Sequence, residues 1–127
     1  MRQMKTKKEQ DQEPFGGYVR RLREERTISL RQFAKDIEMH PAYLSKIERG
    51  DFPPPAEEKV IAIAKGLQID SDVLLAKAGK VSSDLLELIK RRPTQMGKLI
   101  RSAAKLPVAE VEAWMEQLPE SKRRPRK

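Results

Sequence analysis

The feature of this sequence that most constrains its fold is a pair of short amphipathic segments separated by a break at residues 38–40. The first segment, SLRQFAKDIE, begins at Ser29, and the spacing of Ser29 and Gln32 matches a capping box, in which each side chain can satisfy the other's backbone amide. The second segment, PAYLSKIERG, begins at Pro41, which suits the first position of a helix, and ends at Gly50, a typical helix stop. These signals predict two short helices joined by a tight turn.

Helical periodicity continues on both sides of this pair. A segment from Phe15 precedes it, and the segments AEEKVIAIAKGL and DVLLAKAG follow it, the last ending at Gly79. The connection at residues 51–55 contains three consecutive prolines and is expected to be rigid and extended. Five short helices between residues 15 and 79 predict a small all-α globule. Its core is expected to include Phe33, Ala34, Leu44 and Ile47.

The second and third helices have the proportions of a helix-turn-helix motif. Residues 15–79 resemble the phage-repressor/Cro superfamily, also called the XRE family, in the strings FGGYVRRLREER, SLRQFAKDI, HPAYLSKIERG, PAEEKVIAIAKGL and DSDVLLAKAGK. The most specific string is PAYLSKIERG, which matches the family's recognition helix and its closing glycine. One departure is Glu38, which stands where the family usually has a glycine in a left-handed turn, so we expect some strain or an adjusted turn there.

The resemblance implies a DNA-binding domain whose third helix enters the major groove with its N-terminal side chains against base edges. In this sequence the base-contacting positions are then His40, Pro41, Ala42, Ser45 and Lys46. Lys46 can donate to guanine O6 and N7, Ser45 can pair with several bases, and Pro41 and Ala42 can lie against a thymine methyl. A competing role for His40 is that of an N-cap or a solvent-facing residue.

Phosphate contacts are expected from residues that flank this helix and from the N-terminus of the second helix. The candidates are Ser29, Arg31, Tyr43, Arg49 and Arg20. Several of these have plainer alternatives. The Tyr43 ring can pack inward, Arg49 can form a surface ion pair, and the arginines at 20–26 can simply cover a solvated helix face.

A second helical block is expected at residues 80–118, in the segments DLLELIKRR, QMGKLIRSAAKL (capped by Thr94) and VAEVEAWMEQL. Its large apolar surface must be buried somewhere. Because helix-turn-helix proteins commonly bind twofold sites, the block is predicted to form a homodimer. The expected interface residues are Leu86, Ile89, Leu99, Val111, Trp114, Met115 and Leu118. The alternatives are that the block enlarges the monomer's core or binds a protein partner, as in an antitoxin or a phage-type regulator.

Charge alone does not identify the DNA-binding surface. The net charge of +8 divides into +1 for residues 1–14, +1 for 15–79, +2 for 80–118 and +4 for 119–127. Residues 1–14 are expected to form a flexible arm and residues 119–127 a basic tail that either attracts phosphates or only aids solubility. A DNA site in the nearly neutral segment 15–79 must therefore depend on where its charges lie.

Other function classes find little support. With one histidine, no cysteine and no phosphate-cradling glycine loop, the chain is expected to be neither an enzyme nor a holder of a metal or cofactor. A small-molecule sensor and an RNA-binding protein are weaker alternatives. No apolar run approaches the roughly 20 residues of a membrane span, so a cytoplasmic location is expected. The sequence predicts a double-stranded-DNA-binding transcriptional regulator, with a repressor favoured over an activator.

Overall fold

The computed structural model describes residues 12–119, and this range contains eight α-helices and no strand. The chain divides between Ser82 and Ser83 into two compact units. The all-α prediction is confirmed. The predicted basic tail, and the predicted arm up to residue 11, lie outside the described residues, apart from Pro119 at the start of the tail.

Within its described residues, 12–82, the first unit has five helices around one apolar core. The helices are α1 (Phe15–Glu25), α2 (Leu30–Asp36), α3 (Pro41–Arg49), α4 (Glu57–Leu67) and α5 (Ser71–Lys77). The buried apolar side chains are Phe15, Val19, Leu22, Phe33, Ala34, Ile37, Met39, Leu44, Ile47, Val60, Ile63, Ala64, Leu67, Leu74 and Leu75. The four core residues named from the sequence for α2 and α3 are all among them.

Side-chain caps fix where the short helices begin. Ser29 Oγ accepts a hydrogen bond from the Gln32 amide at 3.1 Å, which confirms this half of the predicted capping box. The reciprocal half was wrong, because Gln32 Nε2 instead donates to Asp36 Oδ1 at 2.7 Å, one turn further along α2. At the start of α5, Asp70 Oδ1 accepts from the Asp72 amide at 2.8 Å. Each cap satisfies an amide that the helix itself leaves without a partner.

A buried ion pair joins α1 to α3. Arg23 Nε and Nη2 donate to the two carboxylate oxygens of Glu48 at 2.8 and 2.9 Å, and Nη1 donates to the Ile28 carbonyl at 2.7 Å. The two side chains are only 9% and 3% exposed. The hydrogen bonds to Glu48 raise the pKa of Arg23, against the opposing effect of burial. Arg23 is therefore part of the interior and not of a solvated or DNA-facing arginine cluster.

Close backbone packing accompanies this ion pair. A Cβ atom on Gly16 would overlap the carbonyl oxygen of Ile47, in the last turn of α3. The absence of a side chain at Gly16 therefore lets the start of α1 lie directly against the end of α3. The two contacts together fix the position and the rotation of α3 on α1.

The turn between α2 and α3 keeps a left-handed residue without a glycine. Glu38 has φ of +55°, and the following residue, Met39, donates its amide to the Ala34 carbonyl at 2.8 Å. The Met39 side chain is buried in the core. The expected strain is thus confined to the backbone of one exposed residue, while the turn itself remains tight.

Over residues 83–119, the part of the second unit that the structure describes, there are three helices: α6 (Ser83–Arg91), α7 (Pro93–Ala104) and α8 (Val108–Met115). The expectation that Thr94 caps α7 was wrong, since α7 already begins at Pro93 with Arg92 at the N-cap. Proline is favoured at the first position of a helix because its missing amide would have no helical partner. None of the described residues from 83 to 119 is buried, although many of them are large and apolar.

We predict that Glu48→Gln destabilises the first unit by about 3 to 5 kcal/mol, because it leaves the Arg23 guanidinium buried without a counter-charge. Urea unfolding followed by circular dichroism measures this change. The matched control is Glu24→Gln, which removes the exposed partner of Arg20 at 3.2 Å and is expected to cost less than about 1 kcal/mol. Equal effects of the two substitutions would contradict the structural role of the buried pair.

We also predict that Glu38→Gly stabilises the protein. A left-handed conformation costs a non-glycine residue about 1 to 2 kcal/mol, while glycine loses about 0.5 to 1 kcal/mol more conformational entropy on folding, so a net stabilisation of up to about 1.5 kcal/mol is expected. The control is Lys65→Gly at an exposed helical position of α4, where a loss of similar size is expected. If urea unfolding shows that Glu38→Gly and Lys65→Gly both lower the free energy of unfolding, the turn at residue 38 carries no strain.

Candidate nucleic-acid interface

The third helix has one buried and one open face. Leu44, Ile47 and Glu48 are buried against the rest of the unit. The open face carries Ala42, Ser45, Lys46 and Arg49, which recur at the i, i+3, i+4 and i+7 spacing of one helix face. Ser45 is half-buried and the other three are exposed. Three of the five predicted base-contacting residues therefore lie together on a surface fixed from behind by the core.

The N-terminus of α3 is built by the other two predicted base-contacting residues. His40 is exposed and acts as the N-cap, because its Nδ1 atom accepts a hydrogen bond from the Ala42 amide at 3.1 Å. The N-cap role proposed for His40 is thus confirmed, and its Nε2 atom is the ring nitrogen left for any outside partner. Pro41 follows as a half-buried residue at the first helical position.

At the other end of α3 an aromatic residue completes the open face. The Phe52 ring centroid lies 5.8 Å from that of Tyr43, with the ring planes inclined at 52°. The Nζ atom of Lys46 lies 5.2 Å from the centre of the Phe52 ring. Sequence reasoning placed Phe52 only within a rigid link and missed these contacts. The available signal was an aromatic residue two positions after a helix-stopping glycine.

The predicted phosphate-contacting residues differ in how they are held. Ser29 caps α2 with its hydroxyl, and Arg31 is exposed and forms no ion pair with any other described residue. Arg49 pairs with Asp51 at 3.4 Å, with both side chains 55% exposed. Arg20 pairs with Glu24 on α1. Exposed pairs of this kind contribute little free energy, so either arginine can exchange its carboxylate for a phosphate.

The neighbouring Arg21 is more firmly engaged. Its guanidinium pairs with Glu13 at 3.1 Å and with Glu25 at 2.9 Å, and its side chain is 21% exposed. Burial acts to lower the pKa of Arg21, but the hydrogen bonds to Glu25 and Glu13 and the negative charges of both glutamates together raise it. Of the two arginines at this point of α1, Arg20 is the more available for an outside partner.

Within residues 12–119, no group of three or more histidine, cysteine, aspartate or glutamate side chains is arranged to hold a metal ion. None of the helices in the same range is long and apolar enough to cross a membrane.

A capped helix, a tight turn and a second helix with an open polar face define this unit as a helix-turn-helix domain. Residues 14–78 match the sequence model of a family described as a helix-turn-helix domain. This match covers half of the chain, and the chain belongs to that family. The prediction of an XRE-type helix-turn-helix protein is confirmed.

Two curated relatives are similar to this chain. Both are described as uncharacterized HTH-type transcriptional regulators, from two strains of Mycobacterium tuberculosis. Each is 36% identical over 64 residues, which is 50% of this chain and 45% of the relative. The chain thus matches less than half the length of these relatives. Among solved structures, a chain of the SinR protein/SinI protein complex has a TM-score of 0.49 and 22% identity, covering 82% of this chain and 99% of that one.

Proposed function

We propose that this protein is a transcriptional regulator that binds double-stranded DNA and recognises its sequence with α3 in the major groove. The observation that carries the proposal is the open face of α3, on which Ala42, Ser45 and Lys46 project together while Leu44 and Ile47 anchor the opposite face in the core. A helix held in this way can enter the groove as a rigid body, with side chains of different hydrogen-bonding character toward the bases.

The roles of the base-contacting residues follow from their chemistry and position. Lys46, near the middle of α3, donates to guanine O6 and N7, and Ser45 beside it donates to or accepts from a neighbouring base. Pro41 and Ala42 lie against a thymine methyl at the N-terminal end of the helix. His40 keeps its Nδ1 atom on the Ala42 amide and offers Nε2 to a base or a phosphate.

Phosphate contacts then fix the orientation of α3 in the groove. The positive N-terminus of α2, capped by Ser29, receives one phosphate, and Arg31 beside it receives the same or the next one. Arg49 exchanges Asp51 for a phosphate, and Arg20 exchanges Glu24 in the same way. The Tyr43 hydroxyl is a further donor at the edge of the face. These contacts position the domain, and the bases supply the specificity.

We further propose that the protein acts as a repressor and as a homodimer on an inverted repeat. Occupying an operator is sufficient for repression, and no surface for activating a polymerase is required. The second unit supports the dimer. Its residues Leu86, Leu99 and Trp114 are 45%, 43% and 52% exposed, and Ile89 and Val111 are half-buried. Apolar side chains at this level of exposure are typical of an interaction surface.

Charge complementarity favours a second copy of the chain as the partner. An open groove of about 290 Å³ is lined by the apolar side chains of Leu88 and Met96 and by Arg91 and Arg92. The segment α8, in contrast, contains acidic residues and no lysine or arginine. By helical spacing its acids Glu110 and Glu112 lie on either edge of the stripe that includes Val111 and Trp114. We propose that α8 of each copy docks into this groove of the other.

The DNA-reading proposal is tested by selecting bound duplexes from a random pool at about 150 mM salt, which suppresses purely ionic binding. We expect an enriched inverted repeat whose half-site centres lie about one helical turn apart. We expect Lys46→Ala to lose discrimination at one base pair in each half-site, worth about 1 to 3 kcal/mol, and Ser45→Ala to relax an adjacent position. The control Lys65→Ala removes the same charge on α4 and should leave the preference intact. Binding without enrichment, or unchanged specificity in both variants, would reject the proposed reading.

The dimer proposal is tested by sedimentation equilibrium of the full chain. The wild type is expected to be a dimer and Trp114→Ala a monomer, since truncating a central aromatic anchor commonly costs more than about 2 kcal/mol of binding. Reversing charge on either side, in Arg91→Glu/Arg92→Glu or in Glu110→Lys/Glu112→Lys, is also expected to give monomers. Mixing these two variants should restore a dimer.

The matched control for charge is Lys98→Glu/Arg101→Glu, which changes the net charge equally at exposed residues that do not line the groove. This variant should remain dimeric. A monomeric wild type that selects a single half-site would reject the dimer and keep the DNA-reading function. Co-purification of a second protein in stoichiometric amount from the native host would instead favour the antitoxin-like or phage-type alternative.

A further inference from the structure

The chain reverses direction immediately after α3. Gly50 has φ of +82°, a left-handed conformation that glycine adopts without steric cost. The amides of Asp51 and Phe52 both point back to the Lys46 carbonyl, at 2.9 and 3.3 Å. This turn brings the side chain of Phe52 beside the last two turns of the helix, on the same open face that carries Lys46.

Two contacts then define the position of the Phe52 ring. One side meets the Tyr43 ring at a centroid distance of 5.8 Å, and the face lies 5.2 Å from the Lys46 ammonium nitrogen. The electron-rich face of an aromatic ring attracts a cation at this distance. Phe52 is nevertheless 41% exposed, so it packs against the open face of α3 and does not belong to the core.

The backbone that follows Phe52 is stiff. Residues 53–55 are three prolines, each with a restricted φ, and Pro55 is buried. The ring is therefore attached between a hydrogen-bonded turn at Gly50 and a stiff, anchored connection to α4. A side chain on such a backbone can serve as a fixed surface against which a mobile lysine is oriented.

We propose that Phe52 is a positioning residue that orients Lys46 for reading its base pair. A free lysine side chain samples many rotamers and loses this freedom when it contacts DNA. By holding the ammonium group near the ring, Phe52 restricts these rotamers before binding, and the Tyr43 ring packs against that of Phe52. Phe52 thereby contributes to specificity at the base pair that Lys46 reads. The proposal rests on the proposed DNA-reading function of α3.

The test compares full-length Phe52→Leu and Phe52→Tyr with the wild type on two duplexes. One duplex is the sequence selected by the wild type, and the other differs only at the base pair whose recognition Lys46→Ala abolishes. Phe52→Leu keeps an apolar side chain but removes the aromatic face, and it is expected to lower discrimination between the two duplexes roughly two- to fivefold. Phe52→Tyr should keep the wild-type ratio, because tyrosine retains the aromatic face.

Several measurements separate positioning from a general structural effect. Phe52→Leu should leave discrimination at the other base pairs, the salt dependence and the urea midpoint unchanged. In a Lys46→Ala background it should cause no further loss of discrimination. Val73→Ala, which truncates another exposed apolar side chain of the same unit, should behave as the wild type. Unchanged discrimination in Phe52→Leu, or an equal loss at every base pair, would overturn the proposal.

The contact between Phe52 and Lys46 can also be tested in the absence of DNA, by proton NMR of the free protein. In the free protein, the ring current of Phe52 should shift the Lys46 side-chain protons upfield in the proton NMR spectrum, and Phe52→Leu should remove that shift. If these protons resonate at the same positions in both proteins, Phe52 does not orient Lys46. A wild type that lacks any sequence preference but shows the ring-current shift would overturn the proposed DNA reading, and this role of Phe52 with it. A wild type with preference that Phe52→Leu leaves unchanged would overturn only the role of Phe52.

Discussion

The orientation of α3 depends on the buried ion pair between Arg23 and Glu48. An isolated helix of nine residues is only marginally stable in water. Both the stability of α3 and its rotation about its axis therefore depend on contacts with the rest of the unit. Removing two charges from water is costly, but here the guanidinium donates three hydrogen bonds and the carboxylate accepts two of them. Because these bonds are directional, they favour the observed rotation of α3 about its axis. The close approach at Gly16 then sets how near α3 lies to α1.

Local contacts of the backbone determine the structure at each end of the open face of α3. At the N-terminus, His40 satisfies a free amide and Pro41 removes another. At the C-terminus, the left-handed Gly50 returns the chain so that Phe52 covers the end of the face. The core therefore sets the position of α3, and these local contacts complete the two ends of its open face.

The second unit differs from the first in that its described residues form no buried core. Its three described helices carry many large apolar side chains, yet none of its described residues is buried. Three helices of 9, 12 and 8 residues enclose too little volume to bury these apolar groups among themselves. The proposed docking of α8 rests on its charge, since Arg91 and Arg92 line the α6–α7 groove and the only charged residues of α8 are acidic. A purely apolar surface would not favour one orientation of a bound helix over another.

The sequence by itself determined which elements form and what class of protein they build. Periodicity, the Ser29 cap, Pro41 and Gly50 are local signals, and each acts within one or two helical turns. The tertiary structure alone decided that Arg23 is an interior residue and that Phe52 lies against Lys46. Arg23 and Glu48 are 25 residues apart, and no local pattern distinguishes a buried arginine from its solvated neighbours. Only packing α1 against α3 removes water from that pair, and desolvation gives the ion pair its structural role.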